Sequence, residues 1–324
     1  MSMKPWVGVS EAHQSLLELI DRVARLDVEL LFCGETGVGK EHYARYAHEA
    51  SARSSGPFIS VNCGSIPTDL FENELFGHVG GAFTGARARA AGLVEAAEGG
   101  TLFFDEVDSL APTNQVKLLR LLQQKEYRRL GDARAHHANA RVVAATNRDL
   151  LRAVRAGQFR EDLLFRLRVV PIEVPPLRER RDDILPLLDA FRDWYAREYG
   201  LQPILFTPEA RVVLRNYRWP GNIRELENLV RNLTCVGSGR VIEASQLPLL
   251  GEVAGGLRPA SALPSGSFKQ AKTSLIAEFE RKYLEDKLAA TGGNIAKAAR
   301  AAGKPRRAFF ELMRKYGISS SSGQ

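Results

Sequence analysis

Val28-Glu29-Leu30-Leu31-Phe32-Cys33 runs directly into Gly34-Glu35-Thr36-Gly37-Val38-Gly39-Lys40. A short apolar run, a glycine turn and a helical pattern follow one another, which predicts strand, loop and helix. The loop satisfies G-x-x-x-x-G-K. Its glycines let backbone N–H groups wrap phosphates, and the following helix directs its positive end at them. Lys40 adds a point charge at the β- and γ-phosphates. The general pattern closes with Ser or Thr to hold magnesium, and here Glu41 stands in that place. A plain tight turn is the bland alternative, but it does not require both flanks.

Working outward, Phe58–Asn62, Thr101–Asp105, Arg141–Asn147 and Val169–Val174 read as further strands. Continuous apolar strands separated by helical patterns predict a parallel sheet covered on both faces, with ligands beyond the carboxyl ends of the strands. Asp105-Glu106 closes the third strand, 65 residues after Lys40. An acid there can orient magnesium, directly or through water, and its neighbour can activate water for attack on a γ-phosphate. In isolation an Asp-Glu pair is common on surfaces; joined to the phosphate loop it points to a nucleotide site.

After Pro175-Pro176-Leu177 the pattern is helical to about Leu250. Ile184, Leu185, Leu187, Leu188, Phe191 and Tyr195 fit one helix. Trp219-Pro220-Gly221 breaks the pattern, and Asn222 is expected to cap a helix through Arg224, Leu226, Leu229 and Val230. Gly251 to Gly266 is rich in Gly, Pro, Ser and Ala and reads as a linker. The expected organisation is a tail at 1–6, an α/β nucleotide-binding subdomain at 7–175, a helical subdomain at 176–250, a linker at 251–267 and a basic helical module at 268–324.

Composition narrows the class. Hydrophobic residues at 44% and charged residues at 26% are ordinary for a soluble protein. No apolar run approaches the roughly 18 residues of a membrane span, and the amino-terminal residues have no signal-peptide core. Three cysteines, Cys33, Cys63 and Cys235, lack zinc spacing and cannot form a disulfide framework, which points to a cytoplasmic protein. His42, His48, His78, His136 and His137 form no recognisable ligand set. Residues 268–324 hold 12 Lys/Arg against five Asp/Glu, so the whole net charge of +7 sits there and the rest is neutral. A neutral body with a basic end suggests a module for a polyanion, or else a solvated helical tail.

Glu74-Leu75-Phe76-Gly77-His78-Val79-Gly80 leads into Gly81-Ala82-Phe83-Thr84-Gly85-Ala86. This stretch resembles the signature loop of the bacterial enhancer-binding proteins, AAA+ ATPases that activate RNA polymerase carrying sigma-54. The resemblance runs from about residue 7 to 318. In this family the phosphate loop ends in Gly-Lys-Glu, so Glu41 is typical of it. Physically, a Phe flanked by small residues has nothing local to pack against, and glycines at both ends allow hinging. An exposed aromatic on such a tip suits grasping a partner; the alternative is a loop with Phe83 buried in its own core.

The resemblance implies further roles. Asn62 resembles the polar switch that restrains the catalytic glutamate, here Glu106. Thr146 and Asn147 resemble the first sensor. Phe159-Arg160-Glu161-Asp162-Leu163-Leu164-Phe165-Arg166-Leu167 resembles the arginine-finger segment, with Arg160 and Arg166 reaching a neighbour's site and Arg168 a lesser candidate. Arginine suits this because its permanent charge and fork stabilise spread phosphate charge, an effect of about 10³ to 10⁵ in rate. Trp219 to Leu226 resembles the lid motif, with Arg224 as the second sensor. The implied cofactors are ATP and Mg2+, with Asp105 at the metal. The implied assembly is a ring, a hexamer in relatives.

At the basic end, Phe268, Ala271, Leu275, Phe279, Tyr283 and Leu288 recur at helical spacing. Asn294 opens Ile295–Ala302, Gly303 closes it, and an arginine-rich segment runs from Lys304 to Tyr316. Two short helices about a glycine turn read as helix-turn-helix, similar to the Fis-like module of this family. Asn294, Lys304, Arg306, Arg307, Arg314 and Lys315 are the candidate DNA contacts. Lys304, Pro305 and Glu311 depart from the family pattern.

Taken together the resemblance implies an activator that binds upstream DNA, assembles and uses ATP hydrolysis to open the sigma-54 promoter complex. Relatives of the phage-shock and type III secretion type lack a sensor domain. With the ATPase pattern starting near residue 7, control by a separate protein in trans, or by expression, is the expectation. A DNA-binding repressor with an oligomerising nucleotide domain and little turnover, and a clamp-loader-like remodelling ATPase, are the alternatives. The hexapeptide and Glu106 count against the first, and the basic module against the second.

Overall fold

The computed structural model describes residues 7–82, 88–247, 280, 284, 287, 288, 291 and 294–316. The chain divides into two compact units, 1–247 and 248–324. Phe83, Thr84, Gly85 and Ala86 of the hexapeptide, the 1–6 tail and the 251–267 linker lie outside the described residues.

In chain order the first unit begins with α1 (Glu11–Ala24), β1 (Leu30–Cys33), α2 (Lys40–Glu49), β2 (Phe58–Asn62), α3 (Phe71–Phe76), β3 (Gly77–His78), β4 (Ala90–Ala91) and α4 (Leu93–Ala96). It continues through β5 (Thr101–Asp105), α5 (Pro112–Gln124), β6 (Glu126–Tyr127), β7 (His136–His137), β8 (Arg141–Thr146), α6 (Leu150–Arg155), α7 (Glu161–Leu167) and β9 (Val170–Glu173). The sheet is parallel throughout, in the order β2-β5-β8-β1-β9.

Successive strand residues point to opposite faces, and both faces are covered. Leu30, Phe32, Phe103, Val143 and Ile172 pack with Ile20, Tyr43 and Ala47 of α1 and α2. Leu31, Leu102, Phe104 and Ala144 pack with Phe71, Leu75, Leu118 and Leu163 on the other side. This double burial is why the strands read as unbroken apolar runs. Register places Asn62 beside Asp105 and Cys33 beside Thr146. The candidate polar groups therefore line one edge, beyond the carboxyl ends of the strands.

Arg141 begins β8 and is 3% exposed. Its guanidinium donates to the carbonyls of Val23, Ala24 and Val28 at 3.3, 2.9 and 3.1 Å. It thereby ties the start of β8 to the end of α1 and to the segment that enters β1.

The helical subdomain comprises α8 (Ile184–Tyr199), α9 (Pro208–Asn216) and α10 (Asn222–Gly237). Thr207 caps α9, with Pro208 at its first position. Trp219 is fully buried and donates its indole N–H to the Leu214 carbonyl at 2.9 Å. The expected Asn222 cap is not formed. Gly221 occupies the cap position, and Asn222 opens the helix at φ 54° with its side chain directed elsewhere.

In the second unit α11 (Ile295–Ala301) and α12 (Arg306–Lys315) are joined through Gly303 at φ 63°. Leu284, Leu288, Ala298, Ala299, Phe309 and Met313 form its buried core. Pro305 sits at the cap of α12. Of the earlier helix expected from its spacing, Phe268, Ala271, Leu275, Phe279 and Tyr283 lie outside the described residues. Among the described residues no helix is long and apolar enough to cross a membrane.

Candidate functional site

Beyond the sheet edge lies a cleft of about 610 Å³ lined by Thr36, Gly37, Gly39, Lys40, Glu41, Asp105, Glu106, Asn147 and Arg224, together with His42, Arg45, Ile223 and Glu227. It brings together most of the nucleotide-contact residues expected from the sequence. Gly34, Gly37 and Gly39 have φ of 158°, 80° and 96°, and the loop folds about Lys40. The Lys40 ammonium donates to the carbonyls of Gly34 and Glu35 at 2.8 and 3.0 Å. Lys40 is 9% exposed. Burial pushes its pKa down, while Asp105, Asp108 and Glu106 pull it back up. Burial likewise pushes the Asp105 carboxyl up, opposed by the Glu106 N–H donated to Asp105 Oδ1 at 2.9 Å and by Lys40. Glu106 has a left-handed φ of 52°, a strained conformation for a non-glycine residue. Glu41 pairs with Arg45 at 3.3 Å.

Asn62 Oδ1 accepts the N–H groups of Gly64 and Ser65 at 2.9 and 3.0 Å. A Cβ built on Gly64 would lie 2.7 Å from Glu106 Oε2 and 3.4 Å from Asn62 Oδ1. The two side chains thus flank Gly64, with the Asn62 oxygen committed to its own turn. Thr146 and Asn147 part company. Asn147 donates to Thr36 Oγ1 at 2.9 Å, on the cleft wall. Thr146 is 1% exposed and donates to Asp108 Oδ1 at 2.7 Å, so the expected sensor pair has one member facing the cleft.

Asn222, expected from the sequence as a cap, and Arg178 and Arg180, which the sequence reading passed over, join the loop to the lid. Asn222 Nδ2 donates to Glu35 Oε2 and to the Thr36 carbonyl, both at 3.1 Å, and Asn222 Oδ1 accepts the Leu177 N–H at 2.8 Å. Arg178 grips Glu35 with both amino groups at 2.8 and 2.6 Å. The Arg178 guanidinium and then Asn222 hold the Glu35 carboxyl down at about 2. The Ile223 N–H donates to the Gly37 carbonyl at 3.0 Å. Gly37 has no room for a side chain, since a Cβ would meet the Gly221 oxygen at 2.4 Å. A second, buried set ties Asp183 to the Val9 and Ser10 N–H groups at 2.6 and 2.7 Å, and Arg180 to the Val38 carbonyl at 2.6 Å.

Neither arginine-finger candidate borders this cleft. Arg160 precedes α7, exposed, and forks onto Asp162 at 3.0 and 2.7 Å. Arg166, in the last turn of α7, donates to the Leu122 carbonyl at 3.2 Å and lies 3.7 Å from the Glu29 carboxylate. They do not converge within one chain. Arg168 lines a neighbouring cleft with Cys33 and Glu173. Burial pushes the Cys33 thiol up to about 12 and the buried Cys63 thiol up as well, so neither is a ready nucleophile.

Gly81 and Ala82, the first two residues of the hexapeptide, follow β3 of the antiparallel β3–β4 ribbon. A Cβ on Gly77 would meet the Ala90 oxygen at 2.3 Å. The segment after β6 braces residues 77–79, with the Val79 N–H donating to Leu130 O and the Leu130 N–H to Gly77 O. In the second unit, Arg306, Arg307, Arg314, Lys304 and Lys315 are exposed. Lys315 lies 3.6 Å from Glu280. Asn294, a candidate DNA contact, accepts the Ala296 and Lys297 N–H groups through Oδ1, both at 3.1 Å, and caps α11.

Comparison with known proteins matches residues 6–173 to the sigma-54 interaction domain, 178–252 to the AAA+ ATPase lid domain, and 275–316 to the bacterial regulatory protein, Fis family. The nitric oxide reductase transcription regulator NorR2 of Cupriavidus necator is 41% identical, over 96% of this chain and 63% of that protein. The DNA-binding transcriptional regulator NtrC of Rhizobium meliloti is 39% identical, over 97% and 70%. The crystal structure of NtrX from Brucella abortus in complex with ATP superposes with a TM-score of 0.74 at 32% identity, over 98% of this chain and 70% of that one. The chain spans less than two thirds of the length of NorR2. With its parallel α/β body, helical AAA+ lid and Fis-type helix-turn-helix, the chain belongs to the sigma-54 interaction domain family.

Proposed function

We propose that this chain is an ATP-hydrolysing activator of sigma-54 RNA polymerase, held on upstream DNA by α11 and α12. One observation carries the reading: Lys40, Asp105, Glu106, Asn147 and Arg224 share one cleft, while Arg160 and Arg166 lie away from it. A site with phosphate, water-activating and sensor groups but no arginine of its own from α7 is completed by a second copy. The assembly is a ring, built from dimers and hexameric as the resemblance implies. The ATP-bound relative supports nucleotide in this cleft.

In this reading Lys40 and the loop N–H groups bind the β- and γ-phosphates. Glu106 orients and deprotonates the attacking water. Asn147 and Arg224 read the γ-phosphate from the sheet and the lid. Asn62 restrains Glu106 after moving from its own turn. Arg160 and Arg166 stabilise charge in the neighbour's site. Gly81 to Ala86 contact sigma-54, chiefly through Phe83 and Thr84. Asp105, with Glu41 beside it, would hold magnesium, directly or through water. Among the described residues no three His, Cys, Asp or Glu side chains cluster as a metal cage. A magnesium ion at a nucleotide is held by one or two carboxylates together with phosphate oxygens and waters. Bound magnesium would neutralise phosphate charge.

The test is ATPase activity of the full chain over a protein concentration series, with Glu106→Gln and Arg160→Ala alongside. Specific activity is expected to rise with concentration, and both variants are expected to fail. Mixing the two variants should restore some turnover, because each supplies what the other lacks. Absence of turnover at every concentration, with target DNA present, would replace this reading with a DNA-binding repressor. Phe83→Ala should keep its ATPase and lose promoter opening; full activation by that variant removes the loop from the mechanism.

A further inference from the structure

Glu29 immediately precedes β1 and is only 8% exposed, an acid buried away from the nucleotide cleft. Lys125 Nζ lies 3.4 Å from its Oε1, and Arg166 Nη2 lies 3.7 Å from the same oxygen. All three side chains border a separate cleft of about 290 Å³. Charges in such a place are screened less than exposed ones, so this acid pulls harder on both cations than a surface carboxylate does.

Arg166 is engaged at the atoms a phosphate needs. A guanidinium grips an anion with two adjacent N–H groups, side-on through Nε and Nη2 or end-on through Nη1 and Nη2. The Arg166 Nε is buried and meets no acceptor among the described residues, so the side-on fork is closed. Nη2, which the end-on fork also needs, donates to the Leu122 carbonyl at 3.2 Å and faces Glu29. A buried donor without an acceptor is unfavourable. The Glu29 charge offsets that cost, and the cleft beside the guanidinium leaves it room to turn.

We infer that Glu29 is a positioning residue for ATP hydrolysis. It holds Arg166 back on its own chain, and the arginine reaches the neighbouring site only by exchanging Glu29 and the Leu122 carbonyl for phosphate. This rests on the reading above in which Arg166 acts in trans, and it adds what sets the availability of that arginine. The free energy of leaving Glu29 is subtracted from the stabilisation that Arg166 gives the transition state. Lys125 competes with Arg166 for the same carboxylate and so weakens the hold.

The experiment uses mixed assemblies of the full chain. A Glu106→Gln chain cannot activate water but donates its Arg166. An Arg166→Ala chain hydrolyses ATP where a neighbour's Arg166 completes the site. Glu29→Gln is added to the donor or to the acceptor, and turnover is measured at saturating ATP and protein. On the donor it should raise turnover about two- to five-fold, the range set by loss of a partly exposed ion pair. On the acceptor it should leave turnover unchanged. Lys125→Met on the donor keeps the side-chain stem, frees Glu29 for Arg166 and should lower turnover. A residue that only supports the fold acts alike from either chain, and melting temperatures of each variant check its folding. Equal effects from the two placements, or a fall with Glu29→Gln on the donor, overturn the inference and leave completion in trans standing. No turnover in the mixture of Glu106→Gln with Arg166→Ala removes the trans role of Arg166, and this inference with it.

Discussion

Asn222, fully buried at the first position of the lid helix, reaches back to Glu35 of the phosphate loop at 3.1 Å. The same carboxamide also accepts the Leu177 N–H and donates to the Thr36 carbonyl. One side chain thereby joins the nucleotide loop, the segment entering the lid and the lid helix. Replacing it by alanine leaves buried backbone groups without partners, at a cost of about 1–3 kcal/mol. Asn222→Ala should lower the melting temperature and weaken ATP binding together. Asn222→Asp should be worse, because it sets a second carboxylate against Glu35. Wild-type stability and affinity in both variants would show that the lid is held by other contacts.

Gly37 presents the steric side of the same junction. Its φ of 80° is left-handed, and a Cβ would sit 2.4 Å from the Gly221 oxygen and 3.1 Å from Arg224 Cβ. The left-handed backbone alone costs alanine about 1–2 kcal/mol, and the overlap would push the lid off the loop. Gly37→Ala is expected to melt earlier and to lose ATPase activity more than Gly81→Ala does. Gly81 also has positive φ, at 83°, but no atom lies within 4 Å of its Cβ position. Equal behaviour of the two variants in both assays would contradict this steric account.

Thr146 and Asn147 call for separate variants. Asn147→Ala removes the contact to Thr36 at the cleft and should depress ATP turnover with little change in stability. Thr146→Val replaces a buried hydroxyl that donates to Asp108 and also receives the Arg148 N–H at 3.1 Å. It should destabilise by about 1–3 kcal/mol, with activity falling through the fold. The outcome that sinks this division is Thr146→Val losing turnover at an unchanged melting temperature.

The contrast between these two residues shows what the sequence could carry. The sheet was legible because burial on both faces turns strands into unbroken apolar runs, as in Arg141–Thr146, where every residue is buried. The phosphate loop and Asp105-Glu106 were legible because both lie at strand ends. Thr146 ends β8 with its hydroxyl turned to Asp108, whereas Asn147 lies past the strand and reaches Thr36; partners this far away in the chain leave no local mark that separates the two. Asn222 was misread because Gly-Asn before a helix is also what a cap looks like; its left-handed φ and buried side chain are set by the loop it meets. Arg178 sits among Arg180 and Arg181 with no local mark, since its partner Glu35 is 143 residues away.

Glu35 gives the junction a pH dependence. Its carboxyl is held at about 2, below its ordinary 4.5, chiefly by Arg178. A depressed acid stabilises the fold fully above its unfolded value, and the stabilisation fades as pH falls from about 4.5 through about 2. The Glu35 side chain is 44% exposed, so the effect is within about 1 kcal/mol. The stability difference between wild type and Glu35→Gln should be flat from neutral pH to about 5 and shrink below it. A difference that grows on acidification would contradict the sign.

Arg160 and Arg166 are both expected to support turnover in trans, but the structure predicts that only one can be removed without disturbing its own chain. The Arg160–Asp162 pair is exposed on both sides, at 46% and 43%, and such pairs contribute about 0–1 kcal/mol. Arg160→Ala should therefore melt like wild type, and any ATPase loss reports on the neighbouring site. Arg166 donates to the Leu122 carbonyl and stands near Glu29, a carboxylate on a residue only 8% exposed that also pairs with Lys125 at 3.4 Å. Arg166→Ala removes one of the cations beside that acid and should cost about 1–3 kcal/mol. Arg166→Lys, which keeps the charge, should recover stability but not turnover, since lysine lacks the planar fork. Thermal melts run beside concentration-dependent ATPase assays separate these cases, and an Arg166→Ala variant as stable as Arg160→Ala would show that the Glu29 contact carries no weight in the fold.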